Sequence, residues 1–254
     1  MKQRIRVIPV LTILNNKLVK TVQFKNPAYI GDPINTVKIF NEKYVDEIIL
    51  TDIGISKKKY SEISFDRIRN IASEAFMPMA YGGGINCLED ADKVFDCGFE
   101  KVILNTAAFN NVHLVEQIST KYGAQSVCVS LDIKKNMFGN HRCYSNSGKK
   151  TVKGTLSSSL LTFQNAGAGE IMITSISRDG TWEGYDLDIL SHFSEDFKLP
   201  IIINGGAGSI QHLQDAVDYK YISAIAASSL FIFQKKGAGV LINIPKTTFF
   251  KEND

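Results

Sequence analysis

The chain contains one internal repeat, whose period of roughly 122 residues is about half of its length. Such a period is far longer than that of a solenoid and predicts a fold built from two similar halves. Segments of the second half match segments of the first in sequence and in order. The matching pairs are Glu47–Gly54 with Glu170–Ser177, Met77–Ile85 with Leu199–Gly208, Lys101–Phe109 with Ser223–Phe231, and the residues around Thr12 with those around Asp132.

Short apolar runs alternate with amphipathic stretches through both halves. Runs such as IIL and PIIIN are continuously apolar, which is typical of strands buried on both faces. Segments such as Cys87–Cys97, Leu114–Tyr122 and Ile210–Tyr219 have helical spacing. We therefore predict an α/β protein, a single (β/α)8 barrel over residues 1–254 with half-barrels at about 1–122 and 123–240. The predicted strands are Ile5–Leu14, Glu47–Asp52, Met77–Tyr81, Lys101–Leu104, Ser126–Leu131, Glu170–Thr174, Leu199–Ile203 and Ser223–Ala226.

The composition favours a small anionic ligand over a macromolecular polyanion. A net charge of +3 gives no nucleic-acid or membrane footprint, and the first residues are too polar for a signal peptide. We predict a cytoplasmic protein without a cofactor or metal centre. The cysteines lack metal-ligand spacing and are expected to be buried free thiols, and the histidines are scattered, as expected of surface or helix positions. These residues are Cys87, Cys97, Cys128, Cys143, His113, His141, His192 and His212.

Two glycine clusters predict phosphate binding. Each follows a strand that begins at a proline, and a small polar turn follows the next strand. In barrels of this class, such loops hold phosphate with backbone N–H groups and a short helix N-terminus. The alternative is a tight turn that only packs backbone against backbone. The candidate residues are Gly83, Gly84, Asn105 and Thr106 in the first half, and Gly205, Gly206, Ala227 and Ser228 in the second.

Acidic residues follow three of the predicted strands. Asp132, at the end of the fifth, is a candidate general acid or base because burial in a barrel mouth raises a carboxyl pKa. Asp52, at the end of the second, is either catalytic or a support for its loop. Asp179 and Gly180 belong to a polar loop after the sixth strand, where they contact the ligand or fix the loop; Trp182 there is an anchor or a lid.

Charged residues also occur at the opposite ends of four strands. Their signs alternate around the barrel, which predicts a ring across its floor. The plain interpretation is that salt bridges close the barrel. The residues are Arg6, Glu47, Lys101 and Glu170.

These motifs resemble the cyclase subunit of imidazole glycerol phosphate synthase over nearly the whole chain, from Arg4 to Phe233. The resemblance is carried by GDP at Gly31–Pro33 and by DEIILTDI, GGGI, NTAA, NSGKK, GAGEI, SISRDGT, EGYD and NGGAG. The sister barrel that isomerises the preceding intermediate has the same two halves but resembles the chain less. The resemblance implies a bisphosphorylated substrate at the barrel top, with Lys20, Ser147 and Thr174 as further contacts.

The resemblance also implies a partner and a conduit. In that family a glutaminase docks on the barrel floor, and ammonia passes through a charged gate and the barrel interior. Arg6, Glu47, Lys101 and Glu170 match the gate residues. The floor ring is then expected to be an ammonia gate at the interface of a heterodimer.

One departure changes the expected function. The family uses two aspartates, and Asp132 matches the second, whereas Thr12 stands in the place of the first. A threonine hydroxyl is not a carboxylate acid or base at neutral pH. The chain is similar in this to second copies of the barrel found in surface-polysaccharide loci, which are proposed to supply ammonia to a sugar amidotransferase that makes acetamidino sugars.

Two alternatives remain open. The first is an authentic cyclase, a lyase of histidine biosynthesis that forms imidazole glycerol phosphate and AICAR, with Asp52 or a water held by Thr12 replacing the missing aspartate. The second is an unrelated phosphosugar isomerase or aldolase, which is disfavoured because no Schiff-base lysine is evident at a strand end.

Overall fold

The computed structural model describes residues 4–43, 45–55 and 62–244, and it confirms the (β/α)8 barrel. Eight parallel strands form a closed ring. The strands Val127–Lys135 and Glu170–Ser175 stand at the two ends of the strand series, and they also pair with each other. The observed bounds of the eight strands differ from the predicted ones by a few residues at most, except at the fifth. The barrel strands are β1 (Arg6–Leu14), β4 (Ile48–Asp52), β5 (Met79–Gly82), β6 (Lys101–Leu104), β7 (Val127–Lys135), β10 (Glu170–Ser175), β11 (Ile201–Asn204) and β12 (Ile222–Ala227).

Helices form the outer layer. Between β10 and β11 the crossover contains a 3-10 helix, Leu187–His192, and another short one precedes β7 at Ala124–Ser126. The helices are α1 (Pro33–Asn41), α2 (Phe65–Ala72), α3 (Leu88–Asp96), α4 (Thr106–Asn110), α5 (His113–Tyr122), α6 (Leu156–Asn165), α7 (Ile210–Val217) and α8 (Ser229–Ile232). In the part of the chain that the structure describes, no helix is long and apolar enough to cross a membrane.

Local sequence explains where several helices begin. The Asp32 side chain accepts a hydrogen bond from the Asn35 N–H, and Pro33 occupies the first turn of α1. Thr155 and Ser158 form a reciprocal capping box at α6. Such caps satisfy N–H groups that the helix itself leaves unpaired.

Alternate residues of each strand face the barrel interior or the helices. The interior set forms its own apolar cluster, and the outward set joins the helices in a larger core. The interior cluster consists of Ile8, Val10, Ile49, Ala80, Ile103, Cys128, Met172, Ile202, Ala224 and Ala226. The parity of each strand therefore decides which polar residues reach the ends of the barrel interior.

Two hairpins that the sequence analysis missed extend the sheet. β2 (Lys17–Val22) and β3 (Lys25–Gly31) continue antiparallel from β1, and β8 (His141–Ser145) and β9 (Lys150–Thr151) continue from β7. They occupy equivalent places in the two halves, after the first and fifth barrel strands. The predicted end of the fifth strand was wrong for this reason, since β7 runs past Asp132 to pair with β8.

Two expectations about side chains were also wrong in part. Cys87 is exposed, whereas the other three cysteines are buried. His141 is neither at the surface nor in a helix: it is buried in β8, with its Nε2 3.1 Å from Asp186 Oδ2 and its Nδ1 3.0 Å from His192 Nε2. The hairpin, which the sequence analysis missed, creates this buried position.

We predict that Gly169→Ala destabilises the barrel. A Cβ at Gly169 would lie 2.2 Å from the carbonyl oxygen of Ala124, so backbone must move where the chain before β10 packs on the chain before β7. Overpacking of this kind costs about 1–3 kcal/mol of unfolding free energy. Urea unfolding followed by circular dichroism measures it.

Gly239→Ala is the matched control, because a Cβ there meets nothing within 4 Å. Its unfolding free energy should stay within about 0.5 kcal/mol of the parent value. Equal stability of the two variants would contradict the packing argument.

Candidate functional site

A cavity of about 370 Å³ opens at the C-terminal ends of the barrel strands. Every residue predicted to be catalytic or to bind phosphate lines it. These residues are Thr12, Lys20, Asp52, Gly83, Gly84, Asn105, Thr106, Asp132, Ser147, Thr174, Asp179, Gly180, Gly205, Gly206, Ala227 and Ser228. The structure thus brings residues from both halves of the repeat into one pocket.

Asp132 has the environment of a proton-transfer group. It follows Cys128 and Ser130 on the interior face of β7, and the Ser130 hydroxyl lies 3.4 Å from its Oδ1. Burial, with a smaller contribution from the charge of Asp179, raises the pKa of Asp132 to about 7, against the opposing bond from Ser130. At neutral pH the carboxyl group can therefore either hold or accept a proton.

Thr12 also belongs to the interior face, on β1. Its hydroxyl lies 3.1 Å from the hydroxyl of Thr51 on the adjacent β4, and the Thr51 hydroxyl is 3.3 Å from the carbonyl oxygen of Leu11. This short chain of neutral groups occupies the place where the resemblance implies a carboxylate. The pocket therefore has a titrating group on β7 and a non-titrating one on β1.

Asp52 supports its loop. By strand alternation it points outward with Leu50, whereas Thr51 points inward. Its Oδ1 accepts a hydrogen bond from the Gly54 N–H at 2.8 Å. Burial raises the pKa of Asp52, although the Gly54 and Ile55 N–H groups and the charge of Arg67 oppose this shift. These contacts correspond to the structural alternative considered for this residue.

The glycine clusters allow close backbone approach. Gly83 and Gly205 have φ of +131° and +91°, and a Cβ would lie 2.4 Å from the carbonyl oxygen of Asp52 in the first case and 2.8 Å from that of Ser175 in the second. Asp52 and Ser175 are equivalent in the repeat, since each ends or nearly ends the preceding strand. The turns therefore pack backbone on backbone, as the plain alternative predicted, and also line the pocket.

The two polar turns differ in their free hydrogen-bonding capacity. The Thr106 hydroxyl accepts a hydrogen bond from the Asn146 N–H at 2.8 Å, which ties the β8–β9 hairpin to the pocket edge. The equivalent Ser228 hydroxyl is buried and has no hydrogen-bond partner within the described ranges. A buried hydroxyl in this state is available to a ligand oxygen.

Lys20 and Asp179 join the β2–β3 hairpin to the loop after β10. The Lys20 ammonium lies 2.8 Å from Asp179 Oδ1, and the Thr21 hydroxyl donates to Asp179 Oδ2 at 3.1 Å. The Gln23 N–H donates to the carbonyl oxygen of Asp179 at 2.8 Å. Asp179 thus fixes the loop, the second of its two predicted roles, and holds a cation at the pocket edge.

Trp182 belongs to this loop and packs on Gly208, which follows β11. A Cβ on Gly208 would lie 2.7 Å from the Trp182 Cβ, and the tryptophan is not among the residues that line the cavity in the described part of the chain. The contact favours its interpretation as an anchor over that of a lid.

The four predicted floor residues form one network. Arg6 bonds to Glu47 at 2.7 Å and also to Glu170, while Lys101 bonds to Glu170 at 2.6 Å and to Glu47 at 3.0 Å. Burial acts to lower the pKa of Lys101, but the charges of Glu170 and Glu47 outweigh it and raise the pKa. The ring is electrically balanced, with two cations and two anions.

Several residues that line the pocket escaped the sequence analysis. Thr51, Ser130 and Asn204 line the cavity, and Asn204 donates a hydrogen bond to the Thr174 hydroxyl at 3.1 Å. Thr51 is the repeat equivalent of Thr174, so the repeat itself carried the signal that would have found it.

We predict that Asp132→Asn stabilises the protein at high pH alone. The pKa of Asp132 is about 7 in the folded state and lower in the unfolded state, so between about pH 4 and 7 the native state holds a proton that the unfolded state releases. The stability that this protonated carboxyl group contributes is lost as the pH rises through 7. The variant should equal the parent near pH 4 and exceed it by about 1–3 kcal/mol near pH 8. Urea unfolding across this pH range tests it, and parallel profiles would disprove it.

We also predict that Lys101→Met destabilises the floor. Its loss leaves Glu47 and Glu170 with one cation, which should cost about 2–4 kcal/mol. Lys121→Met is the matched control because the Lys121–Asp92 pair is solvent-exposed, and it should cost about 0.5 kcal/mol or less. Thermal and urea unfolding measure both, and equal losses would show that burial of the ring contributes nothing.

Comparison with known proteins identifies the family. Residues 6–236 match the family described as "Histidine biosynthesis protein". The chain is 45% identical over 242 residues, covering 95% of it and 96% of the relative, to "Putative imidazole glycerol phosphate synthase subunit hisF2" of Pseudomonas aeruginosa. It is 42% identical to the Vibrio vulnificus protein named in the same way as hisF3, covering 95% of the chain and 93% of the relative. It is 36% identical to "Imidazole glycerol phosphate synthase subunit HisF" of Chlorobium phaeobacteroides, covering 91% of each. With matches over nearly its whole length, the chain belongs to the histidine biosynthesis protein family and is a homologue of the cyclase subunit of imidazole glycerol phosphate synthase.

Proposed function

We propose that this chain is the barrel subunit of a glutamine-dependent amidotransferase complex. It receives ammonia from a glutaminase at its floor and passes it through the barrel to a sugar amidotransferase, for amidation of a surface-polysaccharide sugar. One observation carries the proposal. The hydroxyl pair of Thr12 and Thr51 occupies the place of one catalytic carboxylate, while the floor ring is complete.

Conduction of ammonia and cyclisation of the substrate depend on residues at opposite ends of the barrel. Cyclisation by the family mechanism needs two acid–base groups, and Thr12 cannot exchange a proton as a carboxylate does. Conduction needs only the ring and an interior that excludes water. These requirements involve different residues, so the first can be lost without the second.

The interior favours neutral ammonia over ammonium. Apolar side chains line the interior between ring and pocket, and the one thiol in this cluster, that of Cys128, is kept neutral because burial raises its pKa. A cation entering this region would lose its hydration without a partner.

The pocket supports binding of a phosphate-bearing small molecule. Among the described residues the buried Ser228 hydroxyl has no hydrogen-bond partner, and the turns at Gly83 and Gly205 bring backbone close to the cavity. We infer that Lys20, Asn105, Thr106, Ser147, Thr174, Gly180, Gly206 and Ala227 complete the two anion sites.

The names of two relatives are compatible with a second copy of the barrel. The designations hisF2 and hisF3 carry numbers, whereas the Chlorobium phaeobacteroides relative, with lower identity to this chain, is named HisF without one. These names are compatible with the proposed role but carry no argument for it.

An authentic cyclase is the second candidate. It is favoured by Asp132, whose pKa of about 7 suits general acid–base catalysis. In this interpretation a water held by Thr12 replaces the first carboxylate. Asp52 is a weaker substitute because it points away from the interior and bonds to Gly54.

We predict that the purified barrel does not cyclise the bisphosphorylated ribulosyl substrate with ammonium, and that Thr12→Asp restores turnover by at least about a hundredfold, within the usual range for one acid–base group. Restoration requires that the phosphate sites still hold the substrate. Product formation in the presence of excess ammonium is the measurement.

Thr51→Asp is the matched control, since it adds the same charge to the neighbouring strand within hydrogen-bond distance of Thr12. It should remain inactive. Turnover by the unmodified chain, abolished in Asp132→Asn, would establish the cyclase and reject the proposal.

A further inference from the structure

One hairpin of the molecule is strongly basic. Residues 133–153 comprise the end of β7, β8 and β9, and we call this segment the basic ribbon. From residue 133 to residue 169 the sequence contains no Asp or Glu, and the ribbon carries all the Lys and Arg of that stretch. These cations are Lys134, Lys135, Arg142, Lys149, Lys150 and Lys153.

Most of this charge is uncompensated. Lys135 bonds to Asp188 at 2.7 Å, and Arg142 donates to the carbonyl oxygen of Gly154 at 2.8 Å. Within the described ranges, none of the remaining four lysines of the basic ribbon forms an ion pair, and all four are exposed. The ribbon therefore presents a positive surface beside the pocket.

The tip of the basic ribbon is apolar and completely exposed. Met137 is 99% exposed and Phe138 is 87% exposed. They lie in a compact turn, since the Asn136 side chain accepts hydrogen bonds from the N–H groups of Phe138 at 2.9 Å and Asn140 at 3.0 Å. Two large apolar side chains are thus displayed on an ordered turn.

The basic ribbon is attached to the barrel at both ends of β8. His141 is buried against Asp186 and His192, and the Asn146 N–H bonds to Thr106 at the pocket edge. Burial, and to a smaller extent the interaction with His141, lowers the pKa of His192. Because His141 adjoins the turn at the tip, these attachments hold the tip in place, which reduces the entropy lost on binding.

We propose that the basic ribbon is the docking site for the ammonia-consuming enzyme, which meets it with an acidic surface and an apolar recess for Met137 and Phe138. This inference rests on the function proposed above. It assigns that partner to the pocket end of the barrel, opposite the floor ring.

Two physical requirements support this occupant. Ammonia that leaves the pocket into open water is protonated and loses its nucleophilic lone pair, so the consumer must cover the mouth. Exposed apolar anchors surrounded by like charges are the composition of an interface with an oppositely charged partner. The ribbon also adjoins the mouth directly, because Ser147 lines the cavity.

The test combines the full-length barrel, its glutaminase and the sugar amidotransferase of the same organism. Calorimetry measures the Kd between barrel and amidotransferase at low and high salt. Glutamine-dependent and ammonium-dependent amidation are measured in parallel. The parent should bind more weakly at high salt.

The double variant Met137→Ser, Phe138→Ser should weaken this Kd at least about tenfold, as expected for interface anchors. Glutamine-dependent amidation should fall with it, while ammonium-dependent amidation is unchanged. Lys134→Glu with Lys153→Glu should also weaken binding and remove most of its salt dependence. Circular dichroism and retained glutaminase binding would show that the variants are folded.

Phe76→Ser is the matched control for the Kd, because Phe76 is 88% exposed but precedes β5, at the opposite end of the barrel. It should leave binding of the amidotransferase unchanged. Parent-like binding by both ribbon variants, with glutamine-dependent amidation intact, would overturn the docking site and leave the proposed function standing. A parent barrel that neither binds the amidotransferase nor supports amidation would overturn both.

Discussion

Closure of the parallel sheet is the constraint on which the rest of this structure depends. Because β7 pairs with β10, no barrel strand has a free edge, and every strand sends alternate side chains into one shared interior. The interior is thereby divided into levels: a charged ring at the floor, an apolar middle and a polar pocket at the top. Residues that are far apart in sequence become members of the same level.

The two halves have similar backbone turns but different side chains at equivalent positions, and the proposed function follows from that difference. Gly83 and Gly205 make the same close approach to equivalent strand ends. Yet Asp132 titrates near neutrality, whereas Thr12 on the equivalent strand offers a neutral hydroxyl. A duplicated barrel can keep the backbone of both sites while one set of side chains loses its acid–base capacity, because the turns and the core do not depend on the catalytic groups.

The two hairpins extend the sheet beyond the eight barrel strands. The β2–β3 hairpin is held over the pocket by the Lys20–Asp179 pair, and the basic ribbon is held by the His141–Asp186 contact. Both attachments are buried, so each replaces hydration by a specific partner. They present exposed side chains without being part of the regular alternation of strand and helix.

The sequence by itself determined the eight strands, the glycine turns and many of the residues that line the pocket, because strand periodicity and the half-chain repeat can be read directly from the order of the residues. It did not determine the hairpins, whose strands are short and depend on pairing with β1 and β7. Only the tertiary structure decided that Asp52 points outward to its own loop, that His141 is buried, and that Thr12 bonds to Thr51. The physical reason is that these outcomes depend on strand parity and on contacts between residues distant in sequence, which exist only once the barrel has closed.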